Sequence, residues 1–146
     1  MKIAMACDHG AFEYKEELKA MICAMGHEVE DFGCYDTSSV DYPDMIAPAV
    51  KSVAEGKNER GIILCGTGIG ASITANKVDG IRCALCSDCF SAKATREHND
   101  SNVLAMGQRV IGIELAKEIT RIWLETPFSN NLRHIRRIEK VMALEK

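Results

Sequence analysis

The chain has 146 residues, 47% of them hydrophobic and 27% charged, with a formal net charge of -3. That length and balance fit one globular domain spanning 1–146 with a sizeable core. They give no general reason to expect nucleic acid or an acidic membrane surface as partner, and no apolar run is long enough to cross a bilayer.

Lys2 to Ala6 reads as a first strand with no secretion-signal pattern, and it runs into the polar Cys7-Asp8-His9-Gly10. Phe12 to Met25 carries Leu18, Met21, Ile22 and Met25 at helical spacing, with Gly26 as its C-cap. Glu28 to Phe32 alternates as a short strand, and Gly33 to Tyr42 is a polar loop. Pro43 suits a helix start for Met45 to Ala54. A buried strand follows at Ile62–Leu64, then a glycine turn, then a helix from Ile69 to Lys77. Ile81 to Leu85 is a fourth strand, Ser91 to Glu97 a helix, and Val103 to Met106 a fifth strand. Two helices close the chain, Ile113 to Leu124 and Leu132 to about Leu144, with Asn130 suited to cap the second. Strands that alternate with helices predict a doubly wound parallel sheet of about five strands, with helices on both faces.

The stretch Cys65-Gly66-Thr67-Gly68-Ile69-Gly70 carries the most chemistry. Its glycines permit sharp turning and leave backbone N–H groups uncovered. A helix that starts at Ile69 points its partial positive charge back at the turn, which suits an anion. The spacing is neither the dinucleotide fingerprint nor a P-loop. Cys65 puts a thiol at the head of this anion site, which suggests chemistry on an anionic intermediate. Ligands of such folds gather beyond the carboxyl ends of the strands. Asp8, His9, Cys65, Thr67, His98 and Asn99 all fall near element ends and form one candidate site. Arg133 and Arg137, four residues apart, share a helix face and can clamp a phosphate. On spacing alone, a plain solvated basic face of Arg133, Arg136 and Arg137 is the better reading.

Simpler roles are open for several other residues. Asp8 suits an N-cap, Tyr42 suits either loop packing or a sugar pocket, and His27 and His134 suit solvated helix ends. Cys83-x-x-Cys86-x-x-Cys89 lacks the fourth ligand that zinc or iron–sulfur sites generally use. Seven cysteines, an odd number spread through buried-looking elements, favour reduced thiols and the cytosol.

Cys7-Asp8-His9-Gly10, Cys65-Gly66-Thr67-Gly68-Ile69-Gly70 and Arg96-Glu97-His98-Asn99-Asp100 resemble, in order and spacing, the type B ribose-5-phosphate isomerases. That family also contains galactose-6-phosphate and allose-6-phosphate isomerases. The resemblance implies a Rossmann-like fold and a homodimer or dimer of dimers whose active site lies between subunits, with a small sugar phosphate as substrate. It implies no metal and no organic cofactor. Carried over by position, Cys65 is the base that moves a proton between C1 and C2, and His98 assists ring opening as an acid. Thr67 either shuttles a proton or orients the substrate. Asp8 and His9 contact the sugar and phosphate, and Gly66, Thr67, Gly68, Ile69 and Gly70 form the anion hole. Asn99 and Arg109 are further ligands, and Arg133 and Arg137 hold the phosphate. The last helix then docks on a partner subunit. Some members carry a Glu directly after the glycine loop as the base; Ala71 stands there in this chain, which favours Cys65. A rival from another class is a non-catalytic phosphate- or nucleotide-binding module.

Overall fold

Five strands lie side by side in the order β2-β1-β3-β5-β4. They are β1 (Lys2–Cys7), β2 (Glu28–Asp31), β3 (Arg60–Cys65), β4 (Cys83–Leu85) and β5 (Val103–Gly107). The structure is a computed structural model and describes residues 1–145. Every pairing is parallel, so each link between strands must cross over. The crossovers are α1 (Phe12–Ala24), α2 (Tyr42–Ala54), α3 (Ile69–Ala75) and α4 (Cys89–Asn99). Two helices follow β5, α5 (Ile113–Glu125) and α6 (Leu132–Met142). This is the predicted doubly wound architecture.

The central strands are apolar on both faces because both are covered. Ile3, Met5, Ile62, Leu64, Leu104 and Met106 point to one side, where α1 and α5 bury Leu18, Ile22, Ile119 and Trp123. The alternate residues Ala4, Ala6, Ile63, Cys65 and Ala105 point to the other, against Ile46 and Val50 of α2 and Ala71 and Ala75 of α3. The small side chains on that side let α2 and α3 approach the sheet closely.

Element ends differ from expectation for local reasons. The Asp88 side chain accepts the Ser91 N–H, so α4 starts at Cys89 and runs through Asn99. His98 and Asn99 therefore lie on its last turn rather than behind it. Asn131, not Asn130, caps α6 by accepting the Arg133 N–H. α3 stops at Ala75, and β4 begins only at Cys83. α6 folds back onto its own chain beside α4; Arg82 Nη1 reaches Met142 Sδ at 3.4 Å and the Gly80 N–H reaches Glu145 at 2.8 Å.

Two consequences position the functional groups. The loops after β1, β3 and β5 all leave from the same end of the sheet, and the winding reverses between β1 and β3. α4 runs back antiparallel to the strands, so its last turn sits near the opposite end, where β5 begins.

Candidate active site

Loops at the carboxyl end of the sheet enclose a cleft of about 480 Å³. β1 delivers Asp8, His9 and Gly10, and β3 delivers Cys65, Gly66, Thr67, Ile69 and Gly70. Arg109 enters from beyond β5 and Tyr42 from the first turn of α2.

Cys65 is the last residue of β3 and is 5% exposed. The Gly68 N–H points at its sulfur, 3.1 Å away. The sulfur thus sits as an acceptor against a backbone dipole. That geometry requires Gly68 to adopt φ +78°. A Cβ at Gly68 would also lie 2.8 Å from the Met106 carbonyl carbon. A side chain at Gly70 would collide with the ring of Tyr42, which walls the cleft. Thr67 Oγ1 accepts the Ile69 N–H at 3.2 Å.

Asp8 Oδ1 accepts the Gly10 N–H at 2.9 Å, so the capping role is real, and the same residue lines the cleft. His9 Nδ1 accepts the Val40 N–H at 3.2 Å. A neutral His9 then carries its proton on Nε2. The Arg109 N–H donates to the Gly66 carbonyl at 2.9 Å, and a Cβ at Gly66 would meet the Arg109 side chain at 3.5 Å. Gln108, which sequence reasoning missed, ties the β3 and β5 loops to α1. Its N–H donates to the Cys65 carbonyl at 3.1 Å, and its side chain accepts the Tyr14 N–H at 3.2 Å. Val40 was missed too; its part is played by a backbone N–H, which any residue except proline supplies.

His98, Asn99 and Arg137 are elsewhere. They line a second cleft of about 460 Å³ together with Arg82, Cys83 and His134. Arg133 is exposed on the same helix, α6. A five-residue strand separates the last turn of α4 from the end of the sheet that carries Cys65, a distance of roughly 15 Å. The single shared site expected from element ends is therefore corrected: within one chain it is two clefts. The expectation failed because an α4 antiparallel to the strands carries its C-terminus away from the strand ends.

His134 is not a solvated helix end. It is 7% exposed, and its ring stacks on His98 with centroids 4.5 Å apart and planes 19° from parallel. Burial, then the neighbouring His98, Arg133 and Arg137, push the His134 imidazole pKa down. Arg82 is held by the Asn99 and Asp100 carbonyls at 3.0 and 2.8 Å. Burial pushes the Cys83 thiol up, and burial with Asp88 pushes Cys86 up to about 11, so both remain protonated at neutral pH.

The chain is similar to proteins of known kind. The model of the ribose/galactose isomerase family matches residues 3–141. Ribose-5-phosphate isomerase B of Escherichia coli is 45% identical over 145 residues, covering 99% of this chain and 97% of the relative. D-erythrulose-4-phosphate isomerase of Pectobacterium atrosepticum is 43% identical over 130 residues, covering 88% of this chain and 85% of the relative. A structure of Clostridium thermocellum ribose-5-phosphate isomerase B superposes with a TM-score of 0.96 at 44% identity, covering 99% of this chain and 97% of that one. The fold, the paired clefts and these similarities lead to one conclusion: the chain belongs to the ribose/galactose isomerase family of enzymes.

Proposed function

We propose that the chain interconverts ribose 5-phosphate and ribulose 5-phosphate in the cytosol, without metal or organic cofactor. The observation that carries this reading is Cys65, seated under the Gly68 N–H at the head of the glycine loop that lines the cleft. Isomerisation removes a weakly acidic proton beside a carbonyl and leaves an enediolate. Cys65 takes the proton from C2 of the open aldose and returns it to C1 as general base and then acid. N–H groups of the Gly66–Gly70 loop stabilise the enediolate oxygen, an effect worth about 3 kcal/mol per donor in other enzymes. Thr67 orients the reacting hydroxyls, Asp8, His9 and Tyr42 hold the sugar, and Arg109 adds positive charge.

The ring-opening acid must then come from a second copy of the chain. In this reading the active site is the carboxyl-end cleft of one subunit closed by the second cleft of its partner, which brings His98, Asn99, Arg133 and Arg137. Apolar rims support it: Ile69 and Ile73 border the first cleft at 51% and 57% exposure, and Val141 borders the second at 54%. Free thiols throughout are consistent with a reducing compartment. Family membership sets aside the reading of a non-catalytic binding module.

The test is a coupled assay of the purified chain with ribose 5-phosphate, allose 6-phosphate and galactose 6-phosphate, beside Cys65→Ala. The reading predicts fastest turnover of ribose 5-phosphate, abolished in the variant. Preference for a hexose phosphate would retain the mechanism and replace the substrate. Undiminished turnover by Cys65→Ala would reject Cys65 as base.

A further inference from the structure

The second cleft holds a histidine to which the proposed mechanism gives no task. His134 is buried on α6, and its flat stack on His98 is the closest pairing of titratable rings in the described residues. His98 itself is exposed at the end of α4. The other polar groups around the pair are Asn76 after α3, Arg82 and Cys83 on the β4 side, Asn99 of α4, and Arg133 and Arg137 of α6. Among the described residues, no carboxylate lines this cleft.

A ring-opening acid must present one nitrogen to the ring oxygen of the sugar. An exposed histidine on a terminal helical turn samples several rotamers, and each costs the productive geometry some of its population. A ring packed flat against it removes that freedom. The same surroundings act on the buried ring: burial, then His98, Arg133 and Arg137, push the His134 imidazole pKa down and favour its neutral form.

We propose that His134 is a positioning residue: it backs His98 and aims that ring at the sugar during ring opening. The proposal rests on the isomerase reading, with His98 as the acid. Substrate chemistry separates the ring step from the proton transfer. Ribose 5-phosphate is mostly a closed ring and must be opened. Ribulose 5-phosphate has its O5 blocked by phosphate, cannot close a five-membered ring on C2, and arrives open.

The experiment measures kcat and KM on ribose 5-phosphate, and the rate at which C1 of ribulose 5-phosphate exchanges its proton with D2O, for the wild type, His134→Ala, His134→Phe and His98→Asn; the exchange needs proton removal and return but no ring step. Expected for His134→Ala is a kcat on ribose 5-phosphate lowered about tenfold, short of the 10²-fold or more that losing the acid itself costs. Its KM and its rate of C1 proton exchange on ribulose 5-phosphate should stay within about twofold. Phenylalanine keeps a flat ring without titrating, and should recover ribose 5-phosphate turnover to within about threefold of wild type. His134→Gln reads the same split should the alanine variant fail to fold. An equal loss of C1 proton exchange on ribulose 5-phosphate would mean a merely structural residue and overturn the proposal. So would wild-type turnover by His134→Ala, or a phenylalanine variant no better than alanine. If His98→Asn retains full ribose 5-phosphate turnover, the functional reading falls first and takes the proposal with it.

Discussion

At the scale of single residues, the proposed base is a cysteine set apart by its neighbours. Most cysteines in such a core are small hydrophobes, and Cys83 and Cys86 behave that way. Cys65 differs because a backbone N–H is aimed at its sulfur and a cleft opens in front of it. Cys65→Ala should lower kcat about 10³-fold or more while ribose 5-phosphate binding, measured by calorimetry, changes little. Arg137→Ala should act oppositely, raising KM about tenfold through lost charge-assisted bonds, with kcat nearly kept. An unchanged KM would remove Arg137 from the phosphate site. Gly68→Ala would force a methyl group into a left-handed backbone and against the Met106 carbonyl. It should cost about 1–3 kcal/mol in urea unfolding and displace the N–H from Cys65.

At the scale of elements, a buried ion pair pins the loop that holds His9. Lys15 of α1 is fully buried, its Nζ 2.7 Å from both Asp31 carboxylate oxygens. Asp31 also accepts the Gly33 N–H at 2.9 Å, at the start of the segment that ends in the Val40 bond to His9. Asp31→Asn leaves the buried Lys15 ammonium with only the half-exposed Glu16 carboxylate, 3.2 Å away, and should cost about 3 kcal/mol in chemical denaturation. Burial pushes the Asp31 carboxyl up, but Lys15, the Gly33 N–H and Lys19 outweigh it and hold its pKa below the usual range. Its contribution is therefore present above the unfolded carboxyl value and lost as pH falls through the folded one. His134 carries the same sign at higher pH, because its folded pKa is also depressed. Stability should fall as pH drops below the ordinary histidine value of about 6.5, and His134→Phe should flatten that slope in thermal melts at pH 7 and 5.

The strand and helix order was legible because apolar runs such as Ile62–Leu64, punctuated by Gly66 and Gly26, report burial and turns directly. Cys65, the glycine loop, Asp8 and His9 were legible because strand ends collect ligands in this architecture. What could not be read was which end of the sheet a helix end reaches. His98, a neighbour of Cys65 by element order, lies near the opposite end of the sheet, while His134, a solvated helix end by its sequence, is buried against it. Both errors concern contacts between elements far apart in sequence, α4 with α6, that no local pattern encodes.

At the scale of the whole molecule, one chain carries two clefts at opposite ends of its sheet. In the proposed function one holds the base and the anion hole, the other the ring acid and the arginines. On that proposal a twofold assembly completes both sites at once, since each subunit lends the other what it lacks. The most direct test mixes two dead variants. Cys65→Ala and His98→Asn are purified separately, unfolded together in equal amounts, refolded and assayed with ribose 5-phosphate. Random pairing makes half of the dimers mixed, and each mixed dimer has one intact site, so about a quarter of wild-type activity should return. No recovery from a mixture shown by native mass spectrometry to contain mixed dimers would contradict the shared site.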